Sequence, residues 1–474
     1  MKLVGRHDEL KRIQRLINSD NSELLAVTGR RRVGKTFLIR EAFEGRMFFQ
    51  FTGLYQSTLD VQLERFGVEL QRQFNTLRKI QIRNWFEAFD VLRQYITQSR
   101  LRRKKVIFID EFPWVSTHKS GFLAAFTDFW NTCASARKDI LVIISGSATS
   151  WMIQHIFRNK GGLYNRVTER IELQPFTLRE TQLFLKEKKI NLHTNDIIKI
   201  YMVLGGIPYY LDHIHNNEST DQAIQRLFYG KNAPFGQEYK ELFASLFNNS
   251  DAHEEVLDLL AQHTMGLTRQ QIIAKTKMTT GGGLSKVLEE LSSSGFISAY
   301  IPLKKKLRDA IYILTDPFTL YYKKYVAQHP IKAKNIWNHL STTPSWLSWS
   351  GLAFENICWL HTDDIKRALK IEGVYTEISK WHHKGTDEMQ GAQIDLVIDR
   401  ADNVIHLCEI NYSLAPYTID AGYYNILKEK IASFSFFTKT KKNLFVTFIT
   451  VNGMTNNMYY SELVKHDILA AELF

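Results

Sequence analysis

Short, uninterrupted apolar runs punctuate the first third of the chain. Leu24–Val27, Met47–Phe51, Val106–Ile109 and Ile140–Ile144 each hold four or five residues with almost no polar alternation. Runs this short, unbroken by charge, predict strands buried on both faces of a parallel sheet. Between them Phe37–Phe43 and the stretches near 59–74 and 84–99 have helical period, and Thr168–Leu173 reads as a further strand. An α/β core over residues 1–175 follows. From 236 to 330 the pattern shifts to short amphipathic helices at Glu254–Leu260, Thr268–Ala274 and Leu284–Leu291, with Thr268 and Gln271 at capping-box spacing. Phe296-Ile297 and Ile311–Leu314 then predict a hairpin whose tip carries Lys304, Lys305, Lys306 and Arg308. Three helices followed by a basic hairpin make a winged-helix pattern. Asp316-Pro317-Phe318 leads through a Tyr/Lys-rich helix to the irregular stretch Ser341–Ser345, taken as a boundary. In the last region, 345–474, Gly351–Glu355 opens a helix. Gln393–Ile398 and Val404–Ile410 form two strands about the turn Arg400–Asn403. The fold class expected is α/β and multidomain.

At 474 residues the chain exceeds one hydrophobic core, and its 44% hydrophobic and 12% aromatic content suits packed domains throughout. No stretch of eighteen apolar residues and no signal peptide is read, so a soluble, cytoplasmic protein without a membrane partner is expected. Cys133, Cys358 and Cys408 are too scattered for a disulfide framework or zinc site. The net charge of +12 favours an anionic partner, nucleotide or nucleic acid. Much of the excess sits in Arg30–Arg32, Arg102–Lys105 and Lys304–Lys306, which also suit solvated loops.

The most specific chemistry lies in Gly29-Arg30-Arg31-Arg32-Val33-Gly34-Lys35-Thr36, between the first apolar run and a helix. This is the strand–loop–helix context that the G-x-x-x-x-G-K-[ST] pattern requires. Its glycines allow backbone N–H groups to wrap phosphate oxygens at the positive end of a helix. Lys35 would meet the β- and γ-phosphates of ATP, and the Thr36 hydroxyl would ligate Mg²⁺. About 75 positions on, Val106–Ile109 runs into Asp110-Glu111. Asp110 would hold the Mg²⁺ shell and Glu111 would polarise the attacking water as general base. Ser145 or Ser147, after the next apolar run, would lie beside the γ-phosphate, with Ser147 preferred. Arg166, chosen over Arg170, is a candidate charge-stabilising finger, serving its own site or a neighbour's in a homo-oligomer.

The succession Val4-Gly5-Arg6-His7-Asp8-Glu9-Leu10, G-R-R-R-V-G-K-T, V-I-F-I-D-E-F, S-G-S-A-T-S-W-M, L-Y-N-R and Gly205–Leu211 resembles a prokaryotic AAA-type P-loop ATPase family. That family is related to the origin-recognition and signal-transducing ATPases. The resemblance implies a five-stranded parallel sheet and, over 176–235, a small helical lid. It places Gly5 and Arg6 near the adenine and has Gly206–Pro208 open a lid helix over the nucleotide. Asn165 stands where that family often carries glycine.

In the last region Asp395 and Glu409 lie seven positions either side of Asp402. A hairpin centred there sets their Cβ atoms on the order of 5 Å apart. Two buried carboxylates that close repel unless one is protonated or a cation intervenes. A divalent ion with Glu355 and the Ile410 carbonyl completing its shell would answer this. The constellation resembles the PD-(D/E)XK nuclease superfamily, and with it a restriction-endonuclease-like tail often fused to such ATPases. The lysine of the motif is here Asn411, which cannot supply its charge. Lys428 or Lys430 on the following helix would be substitutes; retention as a binding or structural module is the other outcome.

Three functions are compatible with these residues. The leading one is a Mg²⁺-dependent ATP-hydrolysing switch, associated with nucleic acid and with double-stranded DNA as partner through the winged helix and tail. The second is an ATP-gated, metal-dependent DNA nuclease effector. The third is an ATP-binding scaffold without turnover, against which the intact Asp110-Glu111 pair argues.

Overall fold

The strands β1 (Glu23–Thr28), β2 (Met47–Thr52), β3 (Lys105–Asp110), β4 (Ile140–Gly146) and β5 (Glu169–Glu172) form an all-parallel sheet in the order β2-β3-β4-β1-β5. Every position of β1, β3 and β4 is buried, as uninterrupted apolar runs require. Alternate side chains feed two cores. Leu24, Ala26, Ile107, Ile109, Val142 and Ile144 face an aromatic layer that includes Phe66, Trp85, Phe89 and Phe126. Leu25, Val27, Val106, Phe108, Leu141 and Ile143 face Ile13, Leu16, Leu38 and Ile39. Parallel register sets Val27 beside Ser145 and Thr52 beside Asp110, so polar residues collect at the carboxyl ends of the strands.

The computed structural model describes residues 3–77, 80–117, 119–158, 163, 165–247, 250–276, 278, 282–329 and 335–474. The chain folds as two compact units, Met1–Pro175 and Phe176–Phe474. In the first unit the basic run Arg102–Lys105 is largely structural. Lys105 is buried and pairs with Asp139 at 2.6 Å, while Lys104 Nζ donates to the carbonyls of Leu16 and Ser19. Arg137 and Lys105 hold the Asp139 carboxyl far below its usual range.

The second unit begins with helices Leu178–Glu187, Thr194–Leu204, Pro208–Asp212 and Thr220–Phe228. Capping boxes at Thr177/Glu180 and Ser219/Gln222 start two of them. Gly206 lies so close to Phe176 that a Cβ there would sit 1.8 Å from the Phe176 carbonyl oxygen. Next come helices Asp251–Ala261, Arg269–Lys275 and Gly282–Ser293, with β6 (Leu267–Thr268), β7 (Ile297–Tyr300) and β8 (Ile311–Leu314) in an antiparallel sheet ordered β6-β8-β7. The Thr268/Gln271 capping box is present.

The last sheet holds β9 (Thr376–Gly385), β10 (Gln390–Arg400), β11 (Val404–Asn411), β12 (Asn443–Thr450) and β13 (Val464–Leu469), ordered β13-β12-β11-β10-β9. β9, β10 and β11 are antiparallel, whereas β11, β12 and β13 are parallel. Helix Ala421–Thr438 returns the chain from β11 to β12, with Phe434 in a core with Ile394, Val397, Ile405 and Leu407. Ser341–Ser345 is not a loose linker. Thr343 caps a helix Pro344–Leu360 with proline in its first turn, seven residues earlier than the expected start at Gly351. Around it Trp337, Trp346, Trp349, Tyr321 and Tyr325 pack ring against ring.

Candidate active site

The loop after β1 is held in shape by backbone that only some residues adopt. Gly29 has φ 139°, and a Cβ there would meet the Leu173 carbonyl oxygen at 2.4 Å. Arg32 (φ 72°) and Gly34 (φ 96°) are also left-handed, and the space beside Gly34 is open. Helix Lys35–Ala42 begins at once, leaving first-turn N–H groups for an anion.

Lys35 is buried, its ammonium curled back to donate to the carbonyls of Gly29 (2.9 Å) and Arg30 (3.1 Å) and to Ser147 Oγ (3.1 Å). Burial lowers its pKa, against the opposing pull of Glu111 and Asp110. Thr36 Oγ1 donates to Asp110 Oδ2 at 2.8 Å, and Ser145 Oγ donates to Asp110 Oδ1. Glu111 takes a left-handed conformation (φ 49°), and its carboxylate accepts from Ser147 Oγ at 2.5 Å and from the Ser147 N–H at 3.1 Å. The two serines thus have separate duties: Ser145 orients Asp110, whereas Ser147 bridges Lys35 and Glu111.

This donor set fits the groups expected of it. A buried ammonium satisfied only by neutral oxygens is ready to exchange them for phosphate, and a hydroxyl and carboxylate 2.8 Å apart are hard ligands of the kind Mg²⁺ takes. Arg6 (φ 60°), which follows Gly5 (φ 65°), is buried and reaches the loop through a bond to the Val33 carbonyl at 3.4 Å. Arg30 is buried and Val33 is packed in the core, while Arg31 lies over the Trp114 ring at 5.7 Å. Sequence reading overlooked Gln62, a buried amide that ties Leu54 to the Trp114 carbonyl beside Glu111.

Arg166 stands apart from the cluster. It is exposed, in a turn closed by its N–H to the Leu163 carbonyl, and no described contact joins its guanidinium to Lys35, Asp110 or Glu111. Arg170 instead covers the Phe157 ring at 4.0 Å. Asn165 has φ 57°, the conformation that a glycine there would supply. Tyr164 of the same motif lies outside the described residues.

Residues 3–214 match a family described as an ATPase domain predominantly from Archaea. This segment is an ATPase domain of the archaeal type. A protein of Methanocaldococcus jannaschii, MJECL04, is 23% identical over 393 residues, covering 81% of this chain and 82% of its own length. Among solved structures, the Walker-type ATPase PABY2304 of Pyrococcus abyssi superposes with a TM-score of 0.51 at 17% identity, covering 68% of this chain and 96% of that one. That likeness establishes a shared fold. The ORC2 protein of Aeropyrum pernix, in ADPNP–ADP complexes, gives a TM-score of 0.45 at 13% identity, over 69% of this chain and 95% of that one. Among the described residues no helix is long and apolar enough to cross a membrane.

Beyond the ATPase domain, each carboxylate of the tail has partners of its own. Asp395 sits where the β9–β10 register shifts, and its carboxylate accepts from the Ile410 N–H at 3.1 Å, so the amide rather than the carbonyl of Ile410 meets it. Glu409 accepts from Lys430 Nζ (2.6 Å) and Tyr423 Oη (2.7 Å). Glu355 approaches Lys380 at 3.8 Å, and burial, then Asp395, pushes its carboxyl up to about 7. Among the described residues no three carboxylate, imidazole or thiol groups converge as ligands of one metal ion. Glu355, Asp395 and Glu409 share a neighbourhood, in which Lys430 and Tyr423 donate to Glu409. Of the two lysines named on the following helix, Lys430 pairs with Glu409 at 2.6 Å, whereas Lys428 lies over the Tyr424 ring.

The hairpin tip also departs from expectation. Lys304 donates to the Thr438 carbonyl at the end of helix Ala421–Thr438, and Leu303 packs on the Trp381–Phe434 core. The tip is thus partly docked on the tail, and Lys304 is not held out towards phosphates.

Proposed function

We propose that the first unit binds and hydrolyses ATP with Mg²⁺ and that the protein works as a nucleotide-driven switch. One observation carries this reading: Lys35, Thr36, Asp110 and Glu111 converge at the carboxyl end of a parallel sheet, with Ser147 joining the first to the last. When bound, Mg²⁺ would offset charge between the phosphates. Lys35 would exchange its loop carbonyls for phosphate oxygens. Ser147, relieved of Lys35, would keep Glu111 aimed at the attacking water. Gly5 and Arg6 would border the adenine, and residues 176–235 would serve as a lid. Arg166, exposed in its turn, would act as a finger from a neighbouring copy rather than at its own site. Lys35→Ala should abolish ATP binding, and Glu111→Gln should bind ATP yet release no phosphate. Tight binding by the first variant, or turnover by the second, would refute the assignment.

We read residues 236–330 as a winged helix, supported by three helices on a three-stranded antiparallel sheet. Helix Gly282–Ser293 would then meet duplex DNA, with Lys286 exposed upon it. A second reading, an ATP-gated nuclease, has one observation in its favour: Lys430 places an ammonium 2.6 Å from Glu409, restoring the charge that Asn411 lacks. It requires Mg²⁺- or Mn²⁺-dependent cleavage of DNA that Asp395→Ala removes. Intact DNA after incubation with the wild-type protein and either ion would eliminate it.

A further inference from the structure

Lys380 is an anomaly in the second unit. It lies on β9, is 8% exposed, and its closest charged partner is a Glu355 oxygen 3.8 Å away, beyond hydrogen-bond reach. An ammonium carries three N–H donors, and with its carboxylate partner beyond hydrogen-bond reach they are left to the cavities that Lys380 lines. Two cavities meet at this residue. One, of about 570 Å³, lies between helix Pro344–Leu360 and the segment 258–264, with Lys324 and Trp349 in its wall. The other, of about 670 Å³, lies under the β7–β8 hairpin, with Lys305, Tyr300 and His383 in its wall. His383 stacks on Phe437 with ring centroids 3.5 Å apart, giving that cavity a flat aromatic side.

We propose that these two cavities form one groove for single-stranded nucleic acid, with Lys380 as its central phosphate contact. Lys324 and Lys305 are exposed at either side and make phosphate contacts along the same track. Lys323 does not take part, since Asp258 holds its ammonium at 2.5 Å. Cations spaced along a groove with aromatic walls are what a strand with unpaired bases requires. Duplex DNA is excluded by the roof. Lys304 on the Thr438 carbonyl and Leu303 in the tail core staple the hairpin down over cavities that hold a few nucleotides. This groove is separate from the phosphate loop and from helix Gly282–Ser293, and it borders the tail carboxylates at Glu355, which lines the first cavity beside Lys380.

Fluorescence anisotropy with a labelled oligothymidylate, alone and annealed to its complement, tests the assignment. Lys380→Gln should weaken single-strand binding roughly tenfold. Each lysine removed should flatten the salt dependence by roughly 0.7 of a logarithmic unit. Duplex binding and ATP hydrolysis should be unchanged, which separates this groove from the other proposed sites. Should Lys380→Gln fail to fold, as judged by its melting curve, the surface variant Lys324→Glu with Lys305→Glu decides on the same readout. Wild-type affinity for the single strand in the folded variants overturns the proposal, as does an equal loss for single strand and duplex.

Discussion

Replacing Ser147 by alanine removes one hydroxyl and tests how the ATPase site is wired. Ser147 Oγ accepts from Lys35 at 3.1 Å and donates to Glu111 at 2.5 Å, and it is almost fully buried. Both bonds involve charged groups, for which about 1.5–3 kcal/mol each is typical. Lys35 keeps two carbonyl acceptors in the variant, so its position in the loop survives. Glu111 keeps only the Ser147 N–H at 3.1 Å, so its carboxylate can swing. The loss therefore falls on the group proposed to polarise water and not on the loop proposed to bind phosphate. kcat should drop roughly 10- to 100-fold, the rate equivalent of one such bond, while KM for ATP changes little. A continuous phosphate-release assay, with ATP affinity measured separately, checks both quantities. An unchanged or raised kcat would show that Ser147 does not orient Glu111 for hydrolysis. A parallel loss of ATP affinity would show that the hydroxyl serves the loop instead.

Three further outcomes follow from packing and charge. Gly206→Ala would force a Cβ to within 1.8 Å of the Phe176 carbonyl, so it should lower stability by about 3 kcal/mol or more, read from urea unfolding; a wild-type midpoint would contradict the close approach. Asp139→Asn would leave the buried ammonium of Lys105 with neutral acceptors only, among them the Leu101 carbonyl, and should cost about 3 kcal/mol, at the low end for a broken buried pair because Asp139 is itself partly exposed. His406 is buried as the neutral ring: Arg400 donates to its Nε2, leaving Nδ1–H for Thr447, and burial with His466 nearby lowers its pKa to about 4. Because the unfolded chain protonates this ring near 6.5, stability is fully present above that pH and falls as the pH drops towards 4, by at most about 3 kcal/mol. His406→Gln should flatten that part of the stability–pH curve, and an unaltered curve would point to other groups.

Much of the fold is legible in the sequence, but unevenly. Buried parallel strands announce themselves because both faces of each strand must be apolar, which leaves an unbroken run in the chain. The Thr268/Gln271 capping box is equally plain, being complete within four residues. The start of helix Pro344–Leu360 is not. Thr343, Pro344 and Ser345 suit a loop as well as a helix entry, and what decides between them is the packing of Trp346 and Trp349 on Tyr325 and Trp337. Basic clusters mislead for a related reason. A row of lysines does not reveal that Lys105 pairs inward with Asp139 or that Lys304 reaches the end of a distant helix.

The chain by itself determined the phosphate loop, the Asp110-Glu111 pair and the strands that carry them, since each is written in a handful of consecutive residues. Tertiary structure decided which groups those residues answer to. Ser147 meets Lys35 from 112 positions away only because β4 lies beside β1 in parallel register. Lys430 meets Glu409 because a crossover helix returns over its own sheet, and Lys380 is left facing two cavities because the hairpin closes over β9. Such partnerships depend on how strands and helices stack, and stacking is set by burial summed over the whole unit, which no local pattern records.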